Sequence, residues 1–244
     1  MPVVVTGADT PLGERVLAAL VGQGLDLRAT VDDRGAVAPL VAAGVKTAVS
    51  DLVDTERFGA VVEGAHTVIH LRGVSADRVL DGVDDVLAAL PDSGVQRIVT
   101  LAGLAGPAAT HPALTALDEA DVDTVVLRVG VVLAPLADPR AAAPTFDDPD
   151  LELAPLWSGD LVAALVAADR LRDLRGHLSV DAVGADVVNA GRLMELLGVR
   201  VPTRDRPPDP GWDLVGDRGR AMAEILGVRP RSLSAAVQAA LAGL

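Results

Sequence analysis

Two glycines pose the first chemical question of this chain. Val3–Val5 run into Thr6-Gly7, and Gly13 follows six residues later. A strand that ends in such a turn and opens a helix aims backbone N–H groups at a phosphate. The first glycine makes the tight exit, the last lets helix and sheet approach, and a middle glycine brings the backbone near a pyrophosphate. Here Thr10 fills the middle place and Pro11 follows it. Proline is tolerated in a first helical turn, but its missing N–H is one phosphate donor fewer. Thr10 either compensates through its hydroxyl or obstructs the approach. The turn's candidate binding residues are Gly7, Thr10, Leu12 and Gly13.

Asp32 is the second candidate, 19 residues beyond Gly13 in LRATVDDR. A carboxylate there accepts hydrogen bonds from both hydroxyls of an adenosine ribose and repels a 2′-phosphate. It favours NAD over NADP as cofactor. Arg34 points the other way, because an arginine meets a 2′-phosphate, and Asp-Asp-Arg-Gly is also ordinary solvated-loop chemistry. Other catalytic systems find little support. The chain has no cysteine, which excludes disulfides, thiolate nucleophiles and cysteine zinc sites. His66, His70, His111 and His177 have no metal-ligand spacing, and no Gly-x-Ser-x-Gly elbow is present. Asp118, Glu119 and Asp121 form no defined pair, and Asp147, Asp148 and Asp150 read as a solvated loop.

The elements that must position these residues alternate. Strands are expected at Val3–Thr6, Leu27–Val31, Thr47–Val49, Thr67–Leu71, Arg97–Leu101, Thr124–Val129 and His177–Val180. Helices are expected at Leu12–Gly22, Ala36–Ala43, Thr55–Glu63, Arg78–Leu90, Leu114–Ala120, Gly159–Leu171, Val187–Leu197, Arg218–Leu226 and Leu233–Leu241. Strands recurring with helices between them predict a doubly wound parallel sheet, a Rossmann-type α/β fold. Two proline-rich stretches, 134–155 and 202–211, interrupt the pattern. They divide a dinucleotide-binding core over residues 1–133 from a segment over 134–244 that completes the sheet edge and forms a small substrate lobe. Half of the residues are hydrophobic but only 2% aromatic, so Val, Leu and Ala must build the core. A net charge of −13 disfavours nucleic acid and anionic lipid as partners, and no apolar run reaches membrane-spanning length. A small-molecule ligand and a cytoplasmic location are expected.

In sequence order, several segments resemble the short-chain dehydrogenase/reductase superfamily, on its extended or atypical branch of NAD-dependent epimerase/dehydratase-like proteins. VVVTGADTPLG resembles the TGxxGxxG turn with Thr10 in the middle-glycine place. VSDLVD resembles the acidic Asp-Leu step, where Asp51, followed by Leu52, would approach the adenine. GAHTVIHLRG resembles the fourth strand, GVQRIVTLAG the strand that delivers a serine, and VDTVVLRVGVVLAP the strand that follows. LWSGDLVAALVAA resembles the segment closing the substrate side, and residues 212–241 the closing helices. The resemblance implies a nicotinamide cofactor, redox or isomerase chemistry on a small polar metabolite, and a homodimer through helices flanking the sheet.

The departures are chemical. Family catalysis uses a tyrosine acidified by a lysine four residues on, with a serine orienting the substrate. This chain has no tyrosine, and its single lysine, Lys46, lies near the third strand, in the wrong half of the site. At the serine position it reads Leu101-Ala102-Gly103, and before the sixth strand His111-Pro-Ala-Leu-Thr115. His111 is a candidate general acid or base in the tyrosine's place, or else part of a surface loop. Arg72 replaces a small residue at the fourth strand's carboxyl end. It would pair with a pyrophosphate or anionic substrate, fill the nicotinamide space, or point to solvent. His70 reads as a core histidine bonded to backbone. Three functions remain open: an atypical oxidoreductase or epimerase, a catalytically inactive dinucleotide-binding regulator, and a scaffold reused for another ligand.

Overall fold

The computed structural model describes residues 1–50, 52–72, 80–105, 109–135, 148–198 and 215–242. Asp51, residues 78 and 79 of the expected fourth helix, and most of both proline-rich stretches lie outside the described residues.

A seven-stranded parallel sheet forms in the order β10-β6-β5-β4-β1-β2-β3. The strands are β1 (Val3–Thr6), β2 (Leu27–Val31), β3 (Lys46–Val49), β4 (Thr67–His70), β5 (Arg97–Gly103), β6 (Asp123–Val129) and β10 (His177–Ala182). Strands β1 and β4 are buried at every position. That burial explains why they read as continuous β-branched runs instead of alternating ones. Val5 lies opposite Ile69 on β4 and Ala29 on β2, so β1 is central, with its carboxyl end between the ends of β4 and β2.

The chain divides into two compact units, one built of residues 1–102, 110–127 and 165–179 and the other of the rest. The first carries α1 (Pro11–Leu20), α2 (Val37–Ala42), α3 (Thr55–Val62), α4 (Val83–Ala88) and α5 (Pro112–Glu119), with the last turns of α6 (Ser158–Asp169). Side chains fix where these helices begin. Thr10 caps α1, Asp54 caps α3 and His111 caps α5, while Pro11 and Pro112 occupy first-turn positions where no N–H is needed. A core of Phe58, Val62, Val68, Val86, Ile98 and Leu117, among others, packs the helices to the sheet.

Three helices differ from expectation for local reasons. The expected helix over 36–43 begins as a 3₁₀ turn, Arg34–Ala36, because the Asp33 carboxylate accepts from Gly35 N–H. Helix α4 starts only at Val83, since Gly82 before it is left-handed at φ +79°. The expected helix over 187–197 opens as a strand, β11 (Val188–Asn189), which pairs antiparallel with β8 (Glu152–Leu153). Asn189 then caps α7 (Ala190–Leu196) through Arg192 N–H.

In the second unit, β7 (Val132–Leu133) pairs with β9 (Leu156–Trp157), and α8 (Arg220–Ile225) and α9 (Leu233–Ala242) follow. Leu133, Leu153, Trp157, Leu193 and Val237 form its core. Arg231 donates from its backbone N–H and from Nε to the buried Asp160 carboxylate, at 2.9 and 3.1 Å, and its guanidinium lies 5.6 Å from the Trp157 ring centroid.

Candidate functional site

The β1–α1 turn is shaped by two contacts that admit no side chain. Gly7 has φ +62°, and a Cβ there would lie 2.7 Å from Arg72 N and 2.8 Å from Arg72 Cα. A Cβ on Gly13 would reach Ala8 Cα at 2.8 Å and the Gly7 carbonyl oxygen still closer. Gly7 therefore lets the end of β4 press on the turn, and Gly13 lets α1 press on it from the other side. Both sides of the turn are therefore packed too closely for any residue but glycine.

Thr10 needs no glycine's freedom, since φ −83° and ψ 154° are ordinary extended values. Its hydroxyl donates to the Gly7 carbonyl at 2.7 Å and accepts from Gly13 N–H at 3.0 Å. The single hydroxyl proton is thus committed inside the turn. Thr10 N–H also donates to the Gly7 carbonyl, Glu14 N–H to the Thr10 carbonyl, and Pro11 has no N–H. The Leu12 amide is left as the first-turn donor without a partner among the described residues. The middle-glycine place has become a helix cap.

Asp9 governs the neighbouring strand. Its Oδ2 accepts from Asp32 N–H at 2.8 Å and Asp33 N–H at 2.7 Å, holding the end of β2 against the turn. No local pattern in the sequence points to this contact, because Asp9 meets residues 32 and 33 only once β2 lies beside β1.

Asp32 itself pairs with Arg72: Nε lies 3.1 Å from Oδ2. The pair joins the carboxyl ends of β2 and β4 across the end of β1. A cavity of about 480 Å³, in the range of ligand pockets, is lined by Asp32, Val49, Ser50, Asp54, Arg57 and Arg72. Ser50, Asp54 and Arg57 were absent from the sequence candidates, because their pocket arises from the packing of three strand ends. Half of the Asp32 side chain is solvent-exposed, so the ion pair contributes about 1 kcal/mol or less and holds neither partner firmly. A ligand that offers better contacts can separate them.

The remaining candidates sit apart from that cavity. Arg34 is exposed in the 3₁₀ turn. Leu52 is fully buried in the core with left-handed φ +69°, its N–H donating to Ser50 Oγ at 3.2 Å. His111 Nδ1 accepts from Ala113 N–H at 3.2 Å, capping α5. That bond selects the tautomer with its proton on Nε2, a hydrogen-bond donor.

His70 is part of the interior. Its Nε2–H donates to the Asp81 carbonyl at 2.9 Å, because a carbonyl only accepts. Nδ1 must then accept from the Thr6 hydroxyl at 2.8 Å, and that hydroxyl accepts from Leu71 N–H at 3.2 Å. Burial pushes the imidazole pKa down to about 4; the Asp81 carbonyl opposes the shift and the nearby Arg72 charge adds to it. This neutral, fully bonded ring locks β1, β4 and the segment before α4 together.

No family model matches the chain. A ketoreductase from Stigmatella aurantiaca, named for 4-hydroxy-2-methyl-3-oxo-4-farnesyl-3,4-dihydroquinoline-1-oxide, is 30% identical over 108 residues, 41% of this chain. The chain spans about a third of that relative's length, 32%. Among solved structures, the UDP-glucose-4-epimerase of Stenotrophomonas maltophila with bound NAD and formylated UDP-arabinopyranose superposes with a TM-score of 0.75. It covers 100% of this chain and 97% of its own, at 18% identity. The NADPH-dependent quinone oxidoreductase of Escherichia coli complexed with NADPH gives 0.73, covering 97% of this chain and 98% of its own, at 16% identity. The chain thus has the Rossmann-type fold found in NAD(P)-binding epimerases and reductases. Among the described residues, no helix is long and apolar enough to cross a membrane.

Proposed function

We propose that this chain is an atypical short-chain dehydrogenase/reductase-like protein that binds a nicotinamide dinucleotide at the carboxyl edge of its first unit. The observation that carries this reading is the turn in which Gly7 and Gly13 leave no room for a Cβ, directly beside the Arg72–Asp32 pair. The Leu12 amide and the amino end of α1 face the phosphates, and Arg72 exchanges Asp32 for a phosphate oxygen. Freed Asp32 accepts from the adenosine ribose hydroxyls, which favours NAD over NADP. When bound, the nicotinamide supplies or takes a hydride. The substrate on this reading is a small polar metabolite, handled by reductase or epimerase chemistry without the usual tyrosine and lysine. Titration calorimetry with NADH and NADPH tests it: NADH should bind with a Kd below about 100 µM and NADPH more weakly. Absence of heat with either at millimolar concentration would remove the basis of the reading.

A second reading, binding without turnover, is favoured by His111. Its Nδ1 is occupied by the α5 cap, so Nε2 carries the proton and cannot accept another. In that state His111 offers a hydrogen bond and no base. Single-turnover oxidation of bound NADH against a carbonyl panel separates the readings, with His111→Ala as the control.

A further inference from the structure

A second cavity lies at the opposite edge of the same unit's sheet. It is bounded by the amino ends of β1, β4, β5 and β6, through Val3, His66, Arg97 and Asp123, and by the segment after α6. Its volume is about 590 Å³. Strand β1, with four residues, places it roughly 13 Å of strand from the glycine turn.

Its floor is a buried arginine. Arg97 is 5% exposed. Its Nη1 donates to the carbonyls of Ala168 and Asp169, at 3.3 and 2.7 Å, where α6 ends. A cation at a helix carboxyl end explains that half of the guanidinium. It does not explain the other half: Nε is buried with no hydrogen-bond partner among the described residues. Native interiors satisfy nearly all such donors, so an unpaired one calls for a partner.

The rim supplies more positive charge. Arg170 and Arg172 line the cavity, are exposed, and make no ion pair among the described residues, whereas Arg175 lies 3.8 Å from Asp123. Four arginines face three aspartates here, in a chain of net charge −13. Gln96 adds a neutral amide at the rim. Arg97 lines the cavity with its guanidinium held in place by Nη1, and a guanidinium is matched to the oxygens of a carboxylate or phosphate.

We infer that this cavity is an oxyanion site, separate from the dinucleotide edge, which takes a small metabolite through its phosphate or carboxylate group. Arg97 supplies the buried charge behind the anion, and Arg170 and Arg172 supply the exposed charges at the rim. Thermal unfolding in about 20 mM inorganic phosphate, or in acetate, against chloride of equal ionic strength provides the test. Phosphate should raise Tm by about 3 °C or more. An equal rise with acetate assigns the site to oxyanions generally, and a rise with phosphate alone assigns it to phosphate esters. Arg170→Ala/Arg172→Ala, which removes only exposed side chains, should abolish the rise, and Arg72→Ala at the other edge should leave it intact. No rise over chloride, a rise that survives the double substitution, or one that Arg72→Ala removes would each overturn the inference.

Discussion

Arg72 Nε lies 3.1 Å from Asp32 Oδ2, so residues 40 apart in sequence meet directly over the turn that would receive a phosphate. The pair neutralises a carboxylate that would repel the ligand and keeps a cation within reach of it. Being partly exposed, it is weak enough to open.

Replacing Arg72 with alanine should therefore change binding more than folding. Loss of one charge-assisted contact should raise the Kd for NADH about tenfold. The thermal midpoint should move by no more than roughly 4 °C, because an exposed ion pair contributes little. Calorimetry beside a melting curve measures both. A tighter NADH complex would mean that Arg72 only screens Asp32.

Gly7→Ala and Gly22→Ala separate backbone strain from crowding. Both positions have positive φ, +62° and +82°, but a Cβ on Gly22 meets nothing within 4 Å. Urea unfolding should show about 1 kcal/mol lost for Gly22→Ala, from conformation alone. For Gly7→Ala the loss should reach about 3 kcal/mol or more, since the Arg72 backbone must also retreat.

His70 makes stability depend on pH. Its pKa is about 4 in the folded chain and 6.5 in the unfolded one, so the unfolded state binds the extra proton first. The contribution is fully present above pH 6.5 and is lost as pH falls from there towards 4, about 3 kcal/mol in all. Urea midpoints across this range should fall with the slope of one proton, and the fall should flatten in His70→Gln. An imidazole proton resonance that titrates near 6.5 would contradict the assignment.

How far all this was legible depended on the range of each interaction. Val3–Thr6 and Thr67–His70 announce buried parallel strands by composition, and Thr10-Pro11 is compatible with a helix start, because those signals are local. His111, read as an acid/base candidate or a loop residue, instead caps a helix that begins at Pro112. His70, in an apolar run, was readable as a core histidine. The Arg72–Asp32 pair and the Asp9 contacts to Asp32 and Asp33 N–H were not readable. They join separate turns whose adjacency exists only once β2, β1 and β4 lie side by side. Leu52 illustrates the converse: its neighbours suggested a cofactor contact, but the left-handed backbone turns the side chain into the core.

Thr10 offers the sharpest test of what the glycine turn does now. Its hydroxyl accepts from Gly13 N–H, an amide that a phosphate would otherwise receive. Thr10→Gly should cost only a few tenths of a kcal/mol, because glycine is itself an adequate cap. It should also release that amide and tighten the NADH complex several-fold. Thr10→Ala should cost about 1 kcal/mol, since alanine caps poorly. It releases the same amide but retains a Cβ at the approach, so its affinity gain should be the smaller. Equal Kd values for all three chains would place the phosphate away from α1, and with it any dinucleotide.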